Sequence, residues 1–229
     1  MRLAAALGWY WSLRSMKIEG AELVADALSA VGTPPPPPAA LPDAERMGLP
    51  EMTAFAAYTA ADLARLEGEP EAARAALIRA LDLARGPDVA QQQLHAVTAT
   101  ALGYLAGAAG ELDAASAWHA EALAAARSTA DAPVIAGALA GLADLALREG
   151  DPERSAGLLG ASLGIRGALD RSAVEEQAVA EQARALLGDA RYDAAYQRGQ
   201  GATLDTLATL VPGGSGGSPP RASTVTPGA

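Results

Sequence analysis

The chain has 229 residues and carries 17 basic against 27 acidic side chains, a formal charge of -10. Fifty-nine positions are alanine and one is phenylalanine, so the apolar half of the chain is built from small side chains, which suit closely packed helices better than a bulky β-sandwich core. The absence of cysteine excludes a disulfide scaffold, a thiolate zinc site and a cysteine nucleophile, and an acidic chain with scattered arginines repels a phosphate backbone, which argues against direct nucleic-acid binding.

The N-terminus opens with Arg2 and an apolar run from Leu3 to Leu13. That pattern has the basic and apolar parts of a secretion signal, but Arg14, Lys17, Glu19, Glu22 and Asp26 follow at helical spacing, and the nearest small-residue site lies beyond them. Residues 1–31 therefore read as a first helical hairpin of a cytoplasmic protein, with a turn near Ser15-Met16 and a second helix carrying Gly20, Val24, Ala27 and Leu28. Residues 32–50 hold five consecutive prolines, Pro34 to Pro38, and read as a stiff polyproline loop inserted between repeats. No basic residue flanks that run, so it does not read as an SH3-type ligand.

Residues 51–211 carry one local signature three times. It is Gly68-Glu69-Pro70-Glu71, Gly110-Glu111-Leu112-Asp113 and Gly150-Asp151-Pro152-Glu153, each between Ala/Leu-rich helical patterns. Glycine takes the left-handed conformation that ends a helix. The acidic residue beside it faces the positive end of the next helix, and proline is harmless at a first helical position. Each signature predicts a tight turn between antiparallel helices. Consecutive glycines lie 42 and 40 residues apart, and a period near forty residues indicates stacked helical hairpins.

The second helix of each unit carries an apolar stripe: Ala73, Leu77, Ala80 and Leu81, then Ala115, Ala122 and Leu123, then Leu159 with Leu163. The uncharged run from Val89 to Gly110 contains three glutamines, His95 and two threonines, and predicts a buried helix of a soluble protein rather than a membrane span. Arg171 to Leu187 predicts a further amphipathic helix ended by Gly188-Asp189. Arg191 to Arg198 predicts a short helix with Tyr192 and Tyr196 on one side, broken by Gly199 and Gly201. Leu204, Leu207 and Leu210 make a last apolar turn, and residues 212–229, rich in Gly, Ser and Pro, read as a disordered tail. The fold expected is all-α, a right-handed TPR-like helical-hairpin solenoid.

A catalytic site needs titratable groups brought together, and the chain has two histidines, His95 and His119. Neither has a metal-ligating partner one turn away, and Glu121, two residues from His119, points to another helix face. Glu175-Glu176 and Asp43-Glu45 read as solvated acids. Gly157, Gly160 and Gly164 have the spacing of close helix packing and lack the strand and turn of a nucleotide loop. No catalytic residue, metal site or cofactor is expected.

Two surfaces are candidates for binding. Helical repeats offer a concave inner face, and Tyr104, Trp118 and His119 interrupt rows of alanine where such a groove would run, although Trp118 also suits an inter-repeat core position. The first helix is apolar on several faces, with Leu3, Leu7, Trp9 and Trp11. At the end of a stack such a helix has a neighbour on one side only, so this open face is expected to dock on an upstream domain or on a second copy of the chain. The alternative is that the polyproline loop folds back over it.

Gly8-Trp9-Tyr10-Trp11-Ser12-Leu13-Arg14, with Glu19-Gly20 and Ala27-Leu28, resembles the opening of the tetratricopeptide-like region of large actinobacterial transcription regulators, the SARP/AfsR-like and large ATP-binding LuxR-like proteins. Arg154-Ser155-Ala156-Gly157-Leu158-Leu159-Gly160-Ala161 and Tyr192-Asp193-Ala194-Ala195-Tyr196-Gln197-Arg198-Gly199 are similar to that region's closing repeats. The resemblance spans residues 1 to 211. It implies a sensor or docking array that follows DNA-binding and ATPase parts. This chain has no GxxxxGK[ST] loop and no basic recognition helix, so neither of those activities carries over. The expectation is a non-catalytic interaction and sensor module of such a regulator, as a truncated or solitary fragment lacking the DNA-binding and ATPase parts. A free-standing TPR scaffold and a small-ligand-binding helical protein are the alternatives.

Overall fold

Three glycines set the plan of the fold. The computed structural model describes residues 50–170 and 173–203, apart from the side chains of residues 50–52, 62, 63 and 66. The expected first hairpin (1–31), polyproline loop (32–50) and tail (212–229) lie outside the described residues, save for residue 50 itself. So do Leu204, Leu207 and Leu210.

Among the described residues the chain forms eight helices and no strand: α1 (Pro50–Leu66), α2 (Pro70–Leu83), α3 (Val89–Ala108), α4 (Leu112–Thr129), α5 (Ala132–Arg148), α6 (Pro152–Arg166), α7 (Val174–Leu187) and α8 (Asp189–Gln200). Gly68, Gly110 and Gly150 end α1, α3 and α5 at φ of 78°, 79° and 84°. At each junction the backbone makes the same two bonds. The glycine N–H donates to the carbonyl three residues back (Arg65, Gly107, Leu147), and the next N–H donates to the carbonyl five back (Ala64, Ala106, Ala146). This is the Schellman closure, which satisfies carbonyls that a helix end leaves orphaned. Proline begins α2 and α6, as the turn signature predicts. Of the acidic N-caps at these three junctions, Glu69, Glu111 and Asp151, Asp151 alone accepts a capping bond, from the Arg154 N–H at 2.9 Å.

The turns fold α1 onto α2, α3 onto α4 and α5 onto α6 as antiparallel hairpins. Each hairpin's first helix then packs on the first helix of the next, α1 on α3, α3 on α5 and α5 on α7, and each second helix packs on the following first helix. The predicted stripes face inward. Ala73, Leu77, Ala80, Leu81, Ala115, Ala122, Leu123 and Leu159 are all buried, while Leu163 is only half-buried. Small residues let the axes approach and leucines fill what remains. α3 is the buried helix expected, and no helix among the described residues is long and apolar enough to cross a membrane.

The last pair departs from the pattern. One residue, Gly188 at φ 75° and ψ 158°, joins α7 to α8. α8 touches α7 sparingly and lies instead along α6. There the helices meet backbone to backbone. A Cβ at Gly160 would overlap the Tyr196 carbonyl oxygen, one at Gly199 would overlap that of Gly157, and one at Gly164 would sit 2.5 Å from that of Gln200. The glycine spacing is used for close packing, as read from sequence. Gly199, however, does not break the helix: α8 continues through it to Gln200. The tight fit against α6 outweighs glycine's weak helix preference.

Candidate functional site

The layer of first helices supplies the candidate surface. Arg65 in the last turn of α1 pairs with Glu175 in the first turn of α7, Nη1 to Oε1 at 2.7 Å. Neighbouring helix axes stand about 8–10 Å apart, so a flat layer would hold α1 and α7 roughly 25–30 Å apart. That is more than one arginine and one glutamate bridge. The layer therefore curls and twists until its first and last members meet on the inner side.

Glu176, beside Glu175, is fixed more firmly. It accepts from Arg166 Nη1 at 3.0 Å and from Ser162 Oγ at 3.3 Å, and Ser162 also reaches the Ala136 carbonyl oxygen at 3.0 Å. Both side chains of the Arg166–Glu176 pair are largely buried. Sequence reading took Glu175 and Glu176 as solvated. Glu176 is instead held by Arg166 at the end of the preceding helix, and Glu175, still partly exposed, is reached by Arg65 from the distant α1.

Tyr104 projects from α3 toward this cluster, half-buried. Burial raises its phenol well above the usual range, and Asp144, Glu175 and Glu176 add to the shift. It is therefore a neutral hydroxyl at any ordinary pH, able to donate a hydrogen bond and unable to act as a base. Asp144 and Arg148 complete the inner face one helix along. Arg148 Nε donates to Asp144 Oδ2 at 2.7 Å, and its Nη1 donates to the Gly107 carbonyl at 3.1 Å, tying α5 to α3.

His119 has a different place. It projects from α4 and is fully buried. Its ring fills a slot that two glycines leave open: a Cβ at Gly103 or at Gly141 would sit 2.5 Å from Nδ1. Tyr104 meets the ring edge-on, with centroids 5.5 Å apart and planes at 80°. Neither ring nitrogen has a hydrogen-bond partner among the described residues. Burial, with Arg148 nearby, lowers the imidazole from 6.5 to about 3. A neutral ring sealed from solvent takes no proton from a bound substrate. It works as a wedge between α3 and α5.

The sequence-derived groove is corrected accordingly. Tyr104 keeps part of its surface exposed. Trp118 and His119 do not line a surface, being 1% and 0% exposed in the core. Both lie on α4, a second helix whose inward stripe fills the space between repeats, and the glycines that receive His119 sit on two other helices. His95 is the histidine with a polar partner, Glu121 Oε1 at 2.7 Å across the α3/α4 hairpin. Leu3, Leu7, Trp9 and Trp11 lie outside the described residues. No group of three or more His, Asp or Glu side chains among the described residues is placed to hold a metal ion. Compared with known proteins, the chain matches no family model, no curated protein and no solved structure.

Proposed function

We propose that this chain is a non-catalytic helical-repeat module of TPR-like solenoid form, which binds a protein partner on its curled inner face. In the reading drawn from the sequence resemblance, it serves as the sensor part of a cytoplasmic bacterial transcription regulator whose DNA-binding and ATPase parts lie on other segments or chains. One observation carries the repeat-module reading: three hairpins closed by the same glycine turn, stacked so that their first helices form one layer. Such a layer presents side chains of successive helices on a common face. Here that face holds a set of ion pairs around one neutral phenol, chemistry suited to recognition by hydrogen bonds and charge. Of the two histidines, His95 is engaged by Glu121 and His119 is sealed in the core.

Two experiments test the reading. Photocrosslinking from an amino acid placed at Tyr104 in the full chain is expected to trap one discrete polypeptide in the source cell, and Arg65→Ala with Glu175→Ala to weaken that product. Crosslinks that scatter evenly over the surface, or a small molecule retained in native mass spectra instead, would overturn it. Reading the gene upstream of Met1 tests the regulator context. An in-frame phosphate loop and a basic recognition helix are expected, and a stop codon close by would favour a free-standing scaffold.

A further inference from the structure

The glycine-notched face of α6 is a helix-binding groove that the chain fills with α8, the last of the described helices. We propose that α8 is exchangeable: it can leave the α6 of its own chain and dock on the α6 of a second copy, giving a swapped dimer. The inference does not depend on the partner reading above.

Three features carry it. The first is the hinge. Gly188 holds φ 75° and ψ 158°, a region open essentially to glycine alone. It separates two segments that are each helical up to that residue, so a change at one position turns α7 and α8 into a single continuous rod. The second is the distribution of contact. α8 is attached to its own chain chiefly through α6 rather than through α7, to which it is covalently joined. Its links to α7 are a small apolar patch, where Tyr192 and Ala195 meet Ala183 and Leu187, and the Arg184 cluster, in which Arg184 stacks over Tyr192 with 4.2 Å to the ring centroid and pairs with Asp189 and Asp193 at 2.8 Å each. Those carboxylates are half or more exposed, and exposed pairs open at little cost. The third is the specificity of the seat. Gly160 and Gly164 leave room for the α8 backbone at Tyr196 and Gln200, and Gly199 in turn leaves room for the Gly157 carbonyl of α6. Arg191 and Arg198 then clamp Glu153 at 3.2 and 2.7 Å. The occupant shaped for this groove is another α8. Short hinges held in a costly conformation favour such exchange.

The experiment is light scattering on the full chain, refolded over a range of concentrations. Gly188→Ala removes the glycine-only bend and favours the straight rod in both chains. It is expected to lower the dimer dissociation constant by about two orders of magnitude, roughly tenfold for each hinge. Adding Gly199→Leu, which spoils the seat, is expected to return that dimer to monomer. A Gly188→Ala chain that stays monomeric, or a dimer that survives Gly199→Leu, overturns the proposal. Should Gly188→Ala not fold, Gly160→Leu and Gly199→Leu decide. Each damages one side of the seat, so mixing them is expected to give a heterodimer with regained helix content, and no heterodimer refutes the exchange.

Discussion

The junctions at Gly68, Gly110 and Gly150 and the seam between α6 and α8 both depend on glycine, for opposite reasons. At the junctions glycine is needed for its backbone angle, and the space around each is open: no atom stands within 4 Å of where a Cβ would be. Along the seam the backbone is ordinary helix, and glycine is needed because the neighbouring main chain occupies the volume of a side chain. The difference teaches that the first kind of glycine is set by local geometry and the second by a distant partner. The two respond differently to the same substitution.

The largest expected effect is at the seam. Gly199→Leu forces its side chain into the Gly157 carbonyl and the Ala161 amide, and rigid backbone does not yield as a flexible side chain does. A loss of about 3–5 kcal/mol, or release of α8, is expected in urea unfolding followed by helix content. An unchanged midpoint would show that α8 slides along α6 without loss.

His119 gives the next test, since its slot is a seam of the second kind with a side chain in it. Truncation to alanine is expected to cost about 2–4 kcal/mol through the cavity left behind. His119→Phe keeps the wedge and removes two unpartnered nitrogens, so it is expected to be neutral or to stabilise by about 1 kcal/mol. Gly103→Ala, which overlaps the ring, is expected to be harmful alone and tolerated in the His119→Ala background.

The same ring sets an acid dependence. Its value falls from 6.5 to about 3 on folding, so between those limits the unfolded chain holds a proton that the folded chain lacks. Stability from this group is complete above pH 6.5 and is lost as pH falls toward 3, by about 1.4 kcal/mol per unit. Thermal melts across that range are expected to show a steeper decline for the native chain than for His119→Phe, and parallel curves would contradict the assignment.

The junctions give the smaller effects. Gly110→Ala meets no neighbour and bears only the left-handed penalty, about 1 kcal/mol. Ala130, which caps α4 at φ 52°, makes the reverse test. Ala130→Gly is expected to stabilise by a few tenths of a kcal/mol, the relief of strain being offset by the freedom glycine gains when unfolded. A stabilisation as large as the Gly110→Ala loss would mean that chain entropy hardly counts at this turn.

The two kinds of glycine also mark how far one sequence can be read. Gly68, Gly110 and Gly150 declare themselves, because the acidic residue and helix start that complete each turn lie within a few positions of the glycine. The inward stripes on α2 and α4 are equally legible, since helical periodicity is local. Gly199 reads as a helix end because its reason, the Gly157 carbonyl, is 42 positions away on α6. Gly103 and Gly141 carry no visible link to His119, so the histidine reads as a groove residue when it is a wedge. Glu175 reads as solvated because Arg65, its partner, stands 110 residues earlier and is brought to it only by the curl of the whole layer.

The repeated closure at residues 68, 110 and 150 makes the architecture divisible. Because each junction leaves and enters its helices through the same pair of bonds, a cut after one glycine rejoins to the residue following another with the local backbone unchanged. Excision of residues 111–150 would splice α3 directly to α6 and shorten the stack by one storey, taking the imidazole and one of its two receiving positions together. Length, in such a protein, is inherited in whole storeys.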